Sequence, residues 1–271
     1  MSTADAALPD AFFVPDGELF MGTAATAGPW DQRSMHFGPP AALLGRAVEH
    51  QPAATSRRVV RATFEILRPV PVGAVRVRSR VVRAGGRVDL VSAVLSADNG
   101  TELALCRAWR IREHEIDLPS TSGSESAAPA PAVPGDGRTT SFFEVTADVH
   151  YGTAMDTRFL AGAFTEPGPA DVWMCMRIPL VAGETPSPLT RVLVAADSGN
   201  GVSAIADPRK LLFINPDLTV HLHRHPTGEW VRLRARTVID RLGSGLATSD
   251  LSDAEGPIGM ALQSLFVDDR G

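Results

Sequence analysis

The feature that most constrains the fold is an internal repeat, because similar segments occur in both halves of the 271-residue chain. The segment RPVPVGAVRVRSRVV, with Arg68 and Gly73, resembles RHPTGEWVRLRARTV, with Arg224 and Gly228. Downstream, the turn sequence ADNG in the first half is matched by DAEG in the second. Matching halves of this size predict duplication of one structural unit. The alternative is a chance match, since alternating valine and arginine are common in strands.

The first half predicts one helix followed by four strands. Gly38-Pro39-Pro40 puts prolines where a helix can begin, and apolar residues then recur at helical spacing until His50. Short strand-like pieces precede this helix at 12–14 and 18–21, and strand candidates follow it at 59–67, 75–83, 88–97 and 102–112. The turn sequences Gly85-Gly86 and Asn99-Gly100 predict antiparallel hairpins. One helix against a curled antiparallel sheet fits this pattern.

A segment of different composition separates the halves. Residues 118–140 are mostly proline, serine, alanine and glycine. Such a segment buries too little apolar surface to offset its ordering entropy, which predicts a flexible linker. The second half then offers Ser187 as the N-cap of another helix, with Pro188 at its first position. We therefore predict one unit at 10–115, a linker at 116–140 and a second unit at 141–269.

A polar interruption in the second half marks the best candidate for a site. The run LLFI at 211–214 is of strand type, but Asn215 and Asp217 follow it with polar groups that a core strand would not choose. Asp197 precedes this stretch, at the last turn of the second predicted helix. An anion there opposes the helix dipole, which should raise its basicity and suit it to activate water. The alternative is a solvated aspartate that starts the next turn.

Composition and charge argue against several functional classes. The net charge of −5, the pI near 5.8 and the lack of a basic run favour small-molecule partners over nucleic acid or an anionic membrane. Cys106 and Cys175 form neither a metal-ligand spacing nor a disulfide framework. The N-terminus lacks the pattern of a signal peptide, and no apolar run is long enough for a membrane span. These features predict a cytoplasmic globular protein without a metal or cofactor.

Four segments, in this order, resemble the acyl-CoA thioesterases of the double-hotdog fold, also called the thioesterase II type. They are HFGPPAALLGRAVE at 36–49, VAADSGNG at 194–201, FINPDLTVHLHR at 213–224 and GPIGMALQSLFV at 256–267. The resemblance covers nearly the whole chain outside the linker and the extreme N-terminus. It implies an α+β double hotdog: two tandem units, each with a curled antiparallel sheet wrapped around a helix. It also implies an acyl-CoA substrate, and relatives of this fold commonly associate into homo-oligomers.

The resemblance further implies site residues. In that family an Asp, a Thr or Ser, and a Gln from the second unit hold the hydrolytic water, and these positions fall on Asp197, Asn215 and Gln263. Asn215 is a departure, because an amide replaces the hydroxyl, although an amide also offers donors and an acceptor. The other candidates, for substrate contacts, are His36, Gly38, Asp217 and Thr219.

Each candidate also has a purely structural interpretation. Gln263 could be an exposed amide on an edge strand, Asn215 a turn residue before Pro216, and His36 a histidine packed at a helix entrance. The implied reaction is hydrolysis of a fatty acyl-CoA by direct attack of water. The alternative function is non-hydrolytic binding of acyl thioesters or lipids. The sequence has no Gly-x-Ser-x-Gly elbow and no evident Cys/His arrangement that would supply a covalent nucleophile.

Overall fold

The structure is a computed structural model that describes residues 7–117, 134–143, 145–206 and 210–269. In the first half the elements are β1 (Phe13–Asp16), β2 (Leu19–Gly22), α1 (Gly38–Glu49), β3 (Arg57–Ile66), β4 (Ala74–Arg83), β5 (Val88–Ala97) and β6 (Glu102–Arg112). In the second half they are β7 (Met155–Ala163), β8 (Glu166–Met176), α2 (Pro188–Ala196), α3 (Gly199–Val202), β9 (Leu211–Ile214), β10 (Asp217–Leu222), β11 (Val231–Ile239), β12 (Ser244–Asp253) and β13 (Gly256–Asp269). Short 3-10 turns lie at Ala24–Thr26 and Pro134–Asp136.

Local sequence patterns account for the two long helices and the hairpins. Both α1 and α2 have proline in the first turn, and α1 ends before His50, as predicted. Ser187 Oγ accepts a hydrogen bond from the Thr190 N–H at 3.2 Å, which confirms the predicted N-cap of α2. Strands β4, β5 and β6 form the predicted antiparallel hairpins.

The strands form one open sheet, in the order β1-β2-β4-β5-β6-β3-β10-β13-β12-β11-β8-β7, with β9 also paired to β13. Within it, β2-β4-β5-β6-β3 mirrors β8-β11-β12-β13-β10, which is the symmetry that the sequence repeat predicts. The expectation of a separate sheet in each half is wrong, because β3 and β10 pair antiparallel, with Thr63 opposite Thr219, and join the halves. This pairing links segments distant in sequence, so local patterns do not reveal it.

Strand alternation sends apolar side chains to the side of the sheet that faces the helices. In β13, Ala261, Gln263 and Leu265 point to this inner face, whereas Met260 and Phe266 point outward and are exposed. The main cluster of buried apolar residues draws on both halves of the chain. Most of the sheet and the two long helices therefore share one core, and a smaller cluster of Ala247, Leu265 and Val267 lies apart from it.

Helices α1 and α2 pack against each other in antiparallel directions. At one end, a Cβ added to Gly38 would collide with the carbonyl oxygen of Val194, so a side chain there would push the helices apart. At their crossing, a Cβ on Gly45 would collide with Leu193 Cδ1. The positive end of the α1 dipole therefore lies beside the negative end of the α2 dipole.

Polar contacts hold the opposite end of this helix pair. Ser187 Oγ donates to Glu49 Oε2 at 2.6 Å, and Arg46 makes a bidentate ion pair with Glu184, with both N to O distances at 2.6 Å. Burial raises the pKa of Glu49 above its ordinary value. These contacts again join an element of the first half to one of the second.

Most of the predicted linker, residues 118–133, lies outside the described residues. Within the described ranges, no helix is both long and apolar enough to cross a membrane.

Candidate active site

Asp197 lies where the end of α2 meets the start of α1. It is the C-cap residue of α2 and is 5% exposed, so it is not the solvated aspartate of the alternative interpretation. The backbone N–H groups of Phe37 and Gly38 lie close enough to its carboxylate to lower its pKa. Pro39 and Pro40 carry no N–H, so these two amides are the first donors at the start of α1. The carboxylate comes from the second half of the chain and these donors come from the first.

Two side-chain amides meet at one oxygen of this carboxylate. Asn215 Nδ2 donates to Asp197 Oδ1 at 2.9 Å, and Gln263 Nε2 donates to the same oxygen at 3.2 Å. Gln263 Nε2 also donates to the Asp197 carbonyl at 3.2 Å, and its Oε1 accepts from the Asn200 N–H at 3.1 Å. Gln263 is 2% exposed, on a strand paired along both edges, so it is not an exposed edge-strand amide.

Asn215 reaches the site because the sheet is interrupted beside it. Both β9 and β10 pair with β13, and residues 215–216 between them leave the ladder. The second N–H of Asn215 Nδ2 is directed to the Asp217 carbonyl at 3.3 Å. Opposite the break, the Ser264 N–H donates to Asp217 Oδ1 at 2.7 Å. The Asp217 carboxylate therefore replaces the backbone acceptor that the Ser264 N–H would have in an uninterrupted strand pairing.

His36 lies against the second oxygen of the Asp197 carboxylate. Its Nδ1 is 3.2 Å from Asp197 Oδ2 and also accepts the Gly38 N–H at 3.1 Å. The imidazole stacks on the ring of Tyr151, with centroids 3.7 Å apart and planes 5° from parallel. Tyr151 Oη donates to the Val194 carbonyl at 2.8 Å, which anchors the stack to α2.

Burial sets the protonation of both groups. It raises the pKa of Asp197 to about 7, against the hydrogen bonds that the carboxylate accepts, which lower it. Burial also lowers the pKa of His36 to about 3, so the imidazole is neutral at physiological pH. Acceptance of the Gly38 N–H shows that Nδ1 carries no proton, so its contact with Asp197 Oδ2 can be a hydrogen bond only when Asp197 carries the proton, and that bond would share the single Nδ1 lone pair. The expectation that the α2 dipole sets the basicity of Asp197 is thus incomplete, since burial is the largest cause.

The predicted site residues fall into two groups. Those gathered around the carboxylate are Asp197, Asn215, Gln263, His36 and Gly38. Asp217 and Thr219 are not brought to it. They alternate along β10 with the buried Leu218 and Val220, so their side chains point to the outer face of the sheet. The prediction of substrate contacts for these two residues has no support from their positions.

Sequence reasoning missed Tyr151 and the backbone of Phe37. Tyr151 is the only tyrosine of the chain, and it is 1% exposed. Its hydroxyl lies 2.9 Å from Ser198 Oγ, next to Asp197, and burial raises its pKa. The only available signal for Tyr151 in the sequence was that this single tyrosine directly follows a histidine. In the described part of the chain, no group of three His, Cys, Asp or Glu side chains could hold a metal ion.

Two family models match the chain, one in each half. Residues 26–111 match the acyl-CoA thioesterase N-terminal domain, and residues 124–267 match the acyl-CoA thioesterase C-terminal domain. The chain therefore belongs to the acyl-CoA thioesterase family, and it is a thioester hydrolase. A comparison with curated proteins gives no significant match.

Solved structures show the hotdog fold over nearly the whole chain. A proposed thioesterase II from Thermobifida fusca has a TM-score of 0.72 at 19% identity and covers 94% of this chain and 95% of its own. A hot dog fold protein from Alicyclobacillus acidocaldarius has a TM-score of 0.71 at 16% identity, with 97% of each chain covered. The acyl-CoA thioesterase II TesB2 from Mycobacterium marinum has a TM-score of 0.64 at 14% identity and covers 94% of this chain and 95% of its own.

The position of Asp217 yields a prediction about stability. Asp217→Ala removes the acceptor of the Ser264 N–H, and we expect the free energy of unfolding in urea to fall by about 1 kcal/mol. Thioester hydrolysis per folded molecule should stay within about twofold of wild type, because this carboxylate faces away from Asp197. Asp250→Ala, on the outer face of β12, is the matched control and should change neither quantity. A loss of hydrolysis without a loss of stability would place Asp217 in the site instead.

Proposed function

We propose that this enzyme hydrolyses fatty acyl-CoA to the free acid and CoA by direct attack of water, with Asp197 as the general base. The observation that supports this most is the buried Asp197 carboxylate, which has Asn215 and Gln263 on one oxygen and the neutral His36 at the other. A base with a pKa of about 7 is half ionised at neutral pH, so it can both take up and release a proton there.

In the proposed reaction, the ionised Asp197 takes a proton from water while the water oxygen forms a bond to the thioester carbonyl carbon. The carbonyl oxygen becomes an oxyanion, which requires hydrogen-bond donors directed at the substrate carbonyl. Collapse of this intermediate breaks the carbon–sulfur bond. The CoA thiolate leaves and takes up the proton from Asp197, which regenerates the base.

The hydrogen-bonding capacity of the two amides suggests different roles. Both N–H groups of Asn215 are directed at protein oxygens, which leaves its carbonyl oxygen to accept from the attacking water. Gln263 donates to Asp197 and accepts from the Asn200 backbone, so its proposed role is to position the carboxylate. Once Asp197 has taken a proton from water, His36 Nδ1 would accept a hydrogen bond from the carboxyl group and so stabilise its protonated form.

We also propose that the two halves are tandem hotdog units, at 10–115 and 141–269, and that the pantetheine arm of CoA enters between them. The mirrored strand order supports the first statement. The second is supported by the composition of the site, in which Asp197 of one half meets His36 and Gly38 of the other.

Thiol release from a panel of acyl-CoAs of increasing length tests this function. We expect release well above the buffer rate for at least part of the panel, and nearly none with Asp197→Asn. The contrary outcome is that acyl-CoA binds but no thiol appears with any substrate. That outcome would support the non-hydrolytic binding protein and reject the hydrolase.

Asn215 offers a second prediction, because it stands where the family has a hydroxyl. Asn215→Thr should keep kcat/KM within about tenfold of wild type, since a hydroxyl also accepts a hydrogen bond from water. Asn215→Leu has a similar size but no polar atom, and we expect a loss of about a hundredfold. Circular dichroism confirms folding of both variants. Equal activities of the two variants would show that Asn215 does not act on the water.

A further inference from the structure

An aromatic cluster lies on one flank of the candidate active site. We call it the aromatic wall, and it consists of Trp30, Phe142, Phe143 and Phe164. The ring centroids of Phe143 are 4.7 Å from Trp30, 5.2 Å from Phe142 and 5.4 Å from Phe164. Trp30 belongs to the first half of the chain and the three phenylalanines to the second, so the wall spans the same division as the catalytic group.

Two short connections place this wall beside the reacting groups. Trp30 is in the loop that leads to His36, and the Gly28 N–H donates to the Ser34 carbonyl at 2.8 Å across that loop. On the other side, α3 begins two residues after Asp197 and carries Gly201. A Cβ added to Gly201 would lie 3.9 Å from Phe143 Cε2. The wall is therefore linked to the site through the loop that leads to His36 and through α3.

The wall offers apolar surface to a ligand, in contrast to the polar groups around Asp197. Phe164 is buried, but Phe143 is only partly buried, and Trp30 is 43% exposed. Acyl-CoA has one large apolar part, the acyl chain, whereas its CoA portion is polar and charged. Burial of alkyl carbons against aromatic rings is the interaction that this surface supplies.

Gly201 is the second observation that points to a ligand. A glycine in a helix costs stability relative to alanine, so it needs a reason. Packing explains the nearby Gly199, because its added Cβ would lie 2.7 Å from Ser249 Oγ. At Gly201 the backbone is not left-handed, and the nearest atom, of Phe143, is at ordinary van der Waals distance. Neither the backbone nor the packing requires glycine there, and Phe143 supplies the only described atom within 4 Å of an added Cβ.

We infer that the acyl chain of the substrate lies against Trp30 and Phe143 and passes over Gly201, so that these residues set the accepted acyl length. This inference rests on the proposed function, because it assumes an acyl-CoA in the site. It assigns a specificity role to a glycine and two aromatic residues outside the proposed catalytic set.

Binding of non-hydrolysable thioethers separates this inference from the proposed chemistry. We would measure the Kd values of ethyl-CoA, octyl-CoA and dodecyl-CoA by calorimetry for wild type, Gly201→Val and Phe143→Ala. In Gly201→Val the added methyl groups fill the space beside Phe143, so dodecyl-CoA should bind about tenfold more weakly while ethyl-CoA changes less than about twofold. Phe143→Ala should also weaken dodecyl-CoA selectively. Phe266→Ala, which removes an exposed phenylalanine from the outer face of β13, is the matched control and should change no affinity.

The inference is overturned if the ratio of dodecyl-CoA to ethyl-CoA affinity is unchanged in both variants, or if all three affinities fall together. Gly201→Ala guards against a folding defect, because its Cβ fits at 3.9 Å, and it should show a smaller shift of the same sign. Thiol release with the matching acyl-CoAs is measured in parallel. Selective thioether binding without thiol release would reject the proposed hydrolysis and leave the acyl-chain assignment standing.

Discussion

Asp197→Asn should reduce kcat/KM for acyl-CoA hydrolysis about a thousandfold. Asparagine has nearly the same shape as aspartate, but its amide cannot take a proton from water near neutral pH. The carboxylate is also the point where Asn215, Gln263 and the α1 amides converge, so other groups nearby are arranged around it. Thiol release at pH 8, where the wild-type carboxylate is ionised, measures the loss.

The matched control is Glu49→Gln. Glu49 is also a largely buried carboxyl group at the end of a long helix, and it also contacts the start of the opposite helix, through Ser187. It lies at the other end of the helix pair, so its substitution should leave kcat/KM within about twofold of wild type. If Asp197→Asn remains within tenfold of wild type, or if Glu49→Gln loses as much activity, Asp197 is not the base.

The second large effect is a dependence on pH. Because burial raises the pKa of Asp197 to about 7, the ionised fraction falls about tenfold for each pH unit below that value. We expect kcat/KM at pH 5 to be about a hundredfold below its plateau above pH 8. The pKa of His36, lowered to about 3, keeps that group out of this range. A profile that is flat between pH 5 and 8 would contradict the assignment.

Asp197 should also make the free energy of unfolding decrease as the pH rises, whereas the activity increases. The pKa of Asp197 is raised from 3.8 to about 7 on folding, so the folded state holds this proton more tightly than the unfolded state does. The resulting stabilisation is fully present below about pH 4 and is lost as the pH rises through about 7. Urea unfolding of wild type relative to Asp197→Asn should therefore show wild type losing stability between pH 5 and pH 8. If the difference in free energy of unfolding between wild type and Asp197→Asn stays constant from pH 5 to pH 8, Asp197 is not protonated in the folded state at pH 5.

Features with short-range causes could be predicted from the sequence. Proline in the first turn and the Ser187 cap place the helices, and turn glycines place the hairpins of the first half. Gln263 could be assigned to the inner face of its strand by simple alternation. Asn215 was recognised as a polar break in an apolar run, and that break is the place where the sheet ladder is interrupted.

Features that depend on distant contacts could not be predicted in this way. Nothing near Asp197 in the sequence indicates that the amides of Phe37 and Gly38 lie beside its carboxylate, because those residues belong to the other half. The pairing of β3 with β10 also joins segments that are distant in the sequence, so local patterns could not predict it. The bond between the Asp217 carboxylate and the backbone N–H of Ser264 also lies beyond local patterns, because it depends on the strand break and on the register of β13.

The antiparallel helix pair limits how the two halves can diverge. At one end of the pair, a substitution at the start of α1 and a substitution at the end of α2 act on the same carboxylate. The two halves are therefore coupled at this end through one carboxylate, and a site built around Asp197 needs both of them. At the opposite end, Arg46, Glu49 and Glu184 need only preserve a contact between the halves. That end therefore joins the halves without any group of the proposed catalytic set.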